Sequence, residues 1–389
     1  MNLRFIALVA LLTSLLAFGT DAMLPALPEI GAALGVSEPN RVQLIVSSFM
    51  LGAGLGQLFF GPFSDYLGRK PAILLGLGIF IAGCVVSLIA QSFEMMLAGR
   101  VLQGLGVAGP RTASIAMVRD LYKGREMARI MSFVMVVFIL VPALAPLMGQ
   151  VVMLAWGWRS VFVSFILFAM LAFIWMALGQ PETHRARRRF SWLDMARALT
   201  AVFSNRQTMG FALVAGLNFS AFVAYLSSIE QIFREVFLVG QLFPLYFSIM
   251  ALAIGGAAFI NGHLVMRLGM HRLITIAVRA IAGFSAIYTL ILLLDPSAES
   301  LWLFLAWGVL SFFSVGLVFG NVNALAMEPM GENAGIAAAT IGAVSTVIAV
   351  AVGVPLGQLY DGSTLPLVAG FAALGLGTLL MIRLTPRSP

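Results

Sequence analysis

Twelve mostly apolar runs, each about as long as a membrane is thick, leave this chain few folds to choose from. They lie near 4–28, 42–62, 72–91, 94–117, 128–151, 159–179, 208–230, 242–263, 273–294, 301–323, 334–357 and 365–384. A helix crosses the hydrocarbon core with about 20 apolar residues, and in lipid it satisfies its own backbone. The pattern predicts an all-α integral membrane protein with twelve transmembrane helices. Only 10% of the 389 residues are charged, against about 25% in soluble domains. The first run has Arg4 ahead of it, like a secretory signal. It is too long for a signal peptide and many like it follow, so it reads as a first span.

Charge then sets the orientation. Lys and Arg number 17 in alternate connections on one side, against three (Arg41, Arg159 and Arg234) on the other. Short loops rich in Lys and Arg stay in the cytoplasm, so both termini and the longest linker are expected there. That linker carries Arg185, Arg187, Arg188, Arg189, Arg197 and Arg206, and its stretch 190–199 is amphipathic enough to lie on the membrane surface. The net charge of +7 sits in these loops, which makes membrane lipid the expected partner and excludes nucleic acid. Cys84 is the only cysteine, so no disulfide framework exists within the chain.

The two halves repeat. Gly61-Pro-Phe-Ser-Asp65-Tyr-Leu-Gly68-Arg69-Lys70-Pro71 joins the second and third spans, and Gly262-His-Leu-Val-Met266-Arg-Leu-Gly269-Met-His-Arg272 joins the eighth and ninth. The fifth span ends Pro146-Leu-Met-Gly149-Gln150 and the eleventh Pro355-Leu-Gly357-Gln358. The expected organisation is an N-terminal six-helix bundle at 1–180, a cytoplasmic linker at 181–207 and a C-terminal bundle at 208–389. Parallel repeats of this kind imply a midplane site and alternating access.

These residues also carry a family resemblance over nearly the whole chain. Gly61-x-x-Ser64-Asp65-x-x-Gly68-Arg69-Lys70-Pro71 resembles the cytoplasmic loop signature of the major facilitator superfamily, and Arg100-Val-Leu-Gln103-Gly104-Leu-Gly106 its fourth-span signature. Asp21-Ala-Met-Leu24-Pro25-Ala26-Leu27-Pro28 is similar to the first-span signature of the drug:proton antiporters of the Bcr/CflA type. The segment 138–149, with Pro142, Pro146 and Gly149, is similar to their fifth-span signature. The resemblance implies two pseudo-symmetric six-helix bundles and proton-coupled efflux of small amphipathic molecules from a bacterial inner membrane. The sequence departs from the pattern at Ala145-Pro146 and Gly149-Gln150, and at Met266, which stands where the first-half loop has its acid.

A carboxylate in a membrane helix costs about 2.5–3.5 kcal/mol and is retained for a reason. Asp21 is such a residue, and Arg100 is its candidate partner. Counted along their helices, both lie about 10 Å below the outer ends. The proton-coupling reading has Asp21 gain and lose a proton while Arg100 holds the deprotonated form; the alternative is an ion pair that only orients helices. Gln103 shares a face with Arg100 and can bond it, a substrate or a neighbouring helix. Gly61, Asp65, Gly68, Arg69 and Lys70 read as a conformational latch at the cytoplasmic surface, with Asp65 accepting bonds from a helix end or from Arg. Pro142, Pro146 and Gly149 read as a hinge or as a kink that packs. Phe18, Phe49, Asn218, Phe222, Tyr225, Glu230, Phe247 and Trp307 complete the weaker substrate-binding candidates. Arg111 can attract an anionic substrate or snorkel, and Arg279 has the same ambiguity.

No catalytic residue, cofactor or metal is expected: His184, His263 and His271 lie in or beside connections without ligand spacing. The expected partners are a small-molecule substrate and protons, with the chain working as a monomer. The alternatives are transport of one metabolite, such as a siderophore or nucleoside, and an integral-membrane enzyme.

Overall fold

The computed structural model describes residues 3–183 and 199–386, and every regular element among them is helical. They form two compact units, Met1–Arg197 and Ala198–Pro389. The first holds α1 (Leu3–Asp21), the short α2 (Leu27–Ala33), α3 (Leu44–Leu67), α4 (Arg69–Leu88), α5 (Phe93–Leu121), α6 (Gly124–Trp156) and α7 (Arg159–Gly179). The second holds α8 (Arg206–Gln231), α9 (Phe243–Leu268), α10 (Met270–Leu294), α11 (Leu301–Met327), α12 (Ala334–Gln358) and α13 (Leu365–Leu384). Apart from α2 these are twelve helices of at least 19 residues, six in each unit.

Ten described stretches are long and apolar enough to cross a membrane. α5 falls short because Arg100, Gln103, Arg111 and its glycines dilute it, and the apolar part of α6 is Leu140–Trp156. The linker residues His184, Arg185, Arg187, Arg188, Arg189 and Arg197 lie outside the described residues, as does all but the last residue of the stretch 190–199.

The first span differs from its expected 4–28. α1 stops at Asp21, a 3-10 turn covers Leu24–Ala26, and α2 follows. Pro25 and Pro28 lack the N–H that would continue a helix and occupy first-turn positions of the two new segments. Elsewhere helix starts follow local chemistry: the side chains of Ser92, Asn205 and Ser300 cap α5, α8 and α11 by accepting from the N–H of Met95, Thr208 and Leu303.

Within the first unit α5 packs on α3 and α4, with Cys84 of α4 fully buried. Within the second, α12 packs on α8. The repeat seen in the sequence recurs as a corner: Gly68 between α3 and α4, and Gly269 between α9 and α10, both at positive φ.

Candidate functional site

Among the described residues Arg100 is the largest fully buried side chain. A guanidinium offers five donors in a fixed fork, and here every nitrogen is engaged. Nε donates to the Ile45 carbonyl of α3 at 3.1 Å, Nη2 to the Gly19 carbonyl of α1 at 3.0 Å, and Nη1 to Oε1 of Gln103 at 2.6 Å. The charge also lies over the Phe49 ring, 4.3 Å from its centroid. Gln103 extends the network to α4, donating through Nε2 to the Gly83 carbonyl at 3.1 Å and to the Ser87 hydroxyl at 2.9 Å. One arginine and one glutamine thus connect four helices of the first unit.

Asp21 is nearly as buried, with 3% of its surface exposed. It ends α1 two residues beyond the Gly19 that Arg100 grips, where the helix gives way to the proline-led turn. α6 closes on this break: a Cβ on Gly149 would sit 1.7 Å from the Ala22 carbonyl oxygen, so no side chain fits there. The expected ion pair between Asp21 and Arg100 is not formed among the described residues. The cause is azimuth. Residues two apart on a helix project about 200° from each other, so with Gly19 turned to Arg100, Asp21 faces away.

The loop signature builds a second cluster. Asp65 accepts from Arg69 Nη1, which also reaches Ser64 at 2.9 Å, while Arg69 Nε donates to Asp120 at the end of α5 at 3.0 Å. Glu182 caps α4, taking the Arg69 N–H at 3.0 Å and the Lys70 N–H at 3.1 Å. Lys70 Nζ donates to the Ala177 and Gln180 carbonyls at the end of α7. Gly68 holds φ 109° here, and a Cβ on it would strike the Glu182 carboxylate at 2.4 Å. Asp120 and Glu182 escaped the sequence reading. Gly61 lies in α3, and its carbonyl accepts from Ser64. In the second unit the matching Met266 is exposed.

The weaker candidates divide. Phe18 packs against Phe165 and Phe168 of α7, and Phe49 belongs to the Arg100 network. In the second unit Phe222 and Tyr225 pack on Phe312 of α11, which the sequence did not mark, and Phe247 stacks on Tyr225. Trp307 joins this cluster through Phe371 and donates to Ser285 at 2.9 Å. Asn218 lines a small cavity with Val278, Ile281, Phe371 and Thr378. Glu230 is buried and paired with Arg234 at 3.1 Å. α6 runs unbroken through Pro142 and Pro146.

Relatives match most of this chain's length. A bicyclomycin resistance protein homolog of Haemophilus influenzae is 30% identical over 364 residues, 91% of this chain and 88% of its own. The multidrug resistance protein MdtL of Escherichia coli is 28% identical over 341 residues, 87% of this chain and 84% of its own. Two crystal structures share the fold: a D-xylose-proton symporter (TM-score 0.76, 15% identity, 100% of this chain and 99% of that one) and the human organic anion transporter MFSD10 (TM-score 0.71, 19% identity, 97% and 99%). The family model described as Major Facilitator Superfamily matches residues 9–354, and with six long helices in each of two units the chain belongs to that superfamily.

Proposed function

We propose that this transporter exports small amphipathic organic molecules from a bacterial cytoplasm by alternating access, in exchange for protons. The observation that carries the proposal is Asp21, a carboxylate buried at the break in α1, beside the segment that Arg100 anchors. Asp21 carries the coupling proton, and Arg100 positions the segment that holds it. Gain and loss of this proton change the charge held at the break and so bias the access states. The relatives named for bicyclomycin and multidrug resistance support export of cytotoxic compounds. The protein works as a monomer in the inner membrane with both termini in the cytoplasm, an orientation supported by the excess of arginine in one set of connections.

The aromatic group of Phe222, Tyr225, Phe247, Phe312 and Trp307 supplies the apolar wall for substrate. The Asp65–Arg69–Asp120 cluster with Glu182 and Lys70 acts as the cytoplasmic latch. Everted membrane vesicles test the proton role. Wild-type vesicles release protons on drug addition, read as dye fluorescence, and Asp21→Asn abolishes the response. Drug-dependent proton movement that survives in Asp21→Asn overturns the assignment.

A further inference from the structure

Arg279 lies inside α10, nine residues beyond its start at Met270, about 14 Å along the axis. It is exposed, so its side chain leaves the bundle on the lipid side. Arg272 and Arg383 are exposed as well, and among the described residues none of the three bonds an acceptor or pairs with an acid. The first-half corner gives Arg69 two carboxylates, Asp65 and Asp120. The second-half corner has exposed Met266 in the place of Asp65, and the arginines beyond it meet no carboxylate.

One contact sets their geometry. α10 and α13 run antiparallel and touch where a Cβ on Gly375 would sit 2.9 Å from that of Ala282. Arg279 is three residues before Ala282 and Arg272 ten, about 60° and 80° round the α10 axis. Arg383 is eight residues after Gly375, about 80° round the α13 axis. In an antiparallel pair, rotations of the same sense lead to the same side. All three arginines therefore stand on one side of the seam between α10 and α13. Arg279, Arg383 and Arg272 lie about 5, 12 and 15 Å from the contact, toward the end where α10 starts and α13 stops. The opposite side of the seam is closed by α8 and α11: Asn218 lines its cavity with Val278 and Phe371 there, and Trp307 bonds Ser285.

A guanidinium within a span extends its stem toward the headgroups, which carries that of Arg279 to the level of Arg272 and Arg383. Three positive charges then converge at headgroup depth on a face that no carboxylate of the protein balances. The anion present at that depth is lipid phosphate, which a guanidinium binds through two parallel bonds. The face continues into exposed apolar residues, Ile276 and Ile287 of α10 and Leu376 and Leu380 of α13. These suit acyl chains, which a free phosphate ion lacks.

We propose that this face holds one anionic phospholipid, its headgroup phosphate gripped by Arg272, Arg279 and Arg383 and its chains lying along the α10–α13 seam. Basic pockets between spans recognise such headgroups. The site belongs to the leaflet that faces the cytoplasm in the orientation proposed above, and it does not depend on what the protein carries.

Native mass spectrometry of the purified full chain in detergent tests this, with phosphatidylglycerol and the zwitterionic phosphatidylcholine as titrants. Wild type binds the first phosphatidylglycerol about tenfold more tightly than phosphatidylcholine. The triple replacement Arg272→Gln, Arg279→Gln and Arg383→Gln removes that preference and leaves phosphatidylcholine binding within about twofold. A control that removes three exposed charges of the first unit (Arg4→Gln, Arg119→Gln and Lys123→Gln) keeps it. No preference in wild type, a preference that survives the triple replacement, or equal loss in the control overturns the proposal. If the triple variant does not fold, Arg272→Gln and Arg383→Gln singly, both near helix ends, decide the matter. Each weakens phosphatidylglycerol binding by about threefold or more, and no change in either overturns the site.

Discussion

Arg100 shows why charge alone does not explain a buried cation. Its three nitrogens address a carbonyl on α1, a carbonyl on α3 and the amide of Gln103. A lysine keeps the charge but loses the planar fork. Arg100→Lys therefore strands buried oxygens, each at a cost of about 1–3 kcal/mol. The expected result is a lower thermal unfolding midpoint in detergent together with lost transport; an unchanged midpoint would show that the fork is dispensable. Arg100 and Gln103 were legible in the sequence because one helix face joins them. The relation of Asp21 to Arg100 was only half legible. Counting residues along a helix gives depth, but rotation about the axis is set by packing, and packing turned Gly19 to the arginine.

At the scale of an element, α4 begins on borrowed chemistry. Its first N–H groups point at the Glu182 carboxylate, which meets both the donors and the positive end of the helix dipole. Glu182→Ala is expected to lower stability by about 1–2 kcal/mol, whereas Glu182→Gln, which still accepts a bond, loses less. Thermal unfolding in detergent distinguishes the two, and equal midpoints would remove the capping role. The loop signature from Gly61 to Lys70 was visible in the sequence. Its partners were not, since Glu182 lies 113 positions from Arg69 and Asp120 lies 51. The end of α1 was hidden in another way. Pro25 and Pro28 stand in the sequence, but hydropathy is blind to a missing N–H, so the apolar run looked continuous.

At the scale of the molecule, the twelve apolar runs made the fold legible, because lipid leaves a spanning backbone little but the helix. α5 was recovered despite its arginines because the residues around them are mostly apolar or small. A proton gradient supplies about 1.4 kcal/mol per pH unit, and each unit sustains about a tenfold concentration ratio for an electroneutral exchange of one proton. In liposomes, the steady-state substrate ratio should climb by this factor per imposed unit and collapse with a protonophore. A ratio indifferent to the imposed gradient would rule out coupling.

The single thiol of this chain, on Cys84, is walled in by α4 and α5. Maleimides and spin labels should therefore pass over the native protein. Exposed positions such as Met266 and Leu178 can each receive one cysteine, giving singly labelled molecules without first stripping out a background.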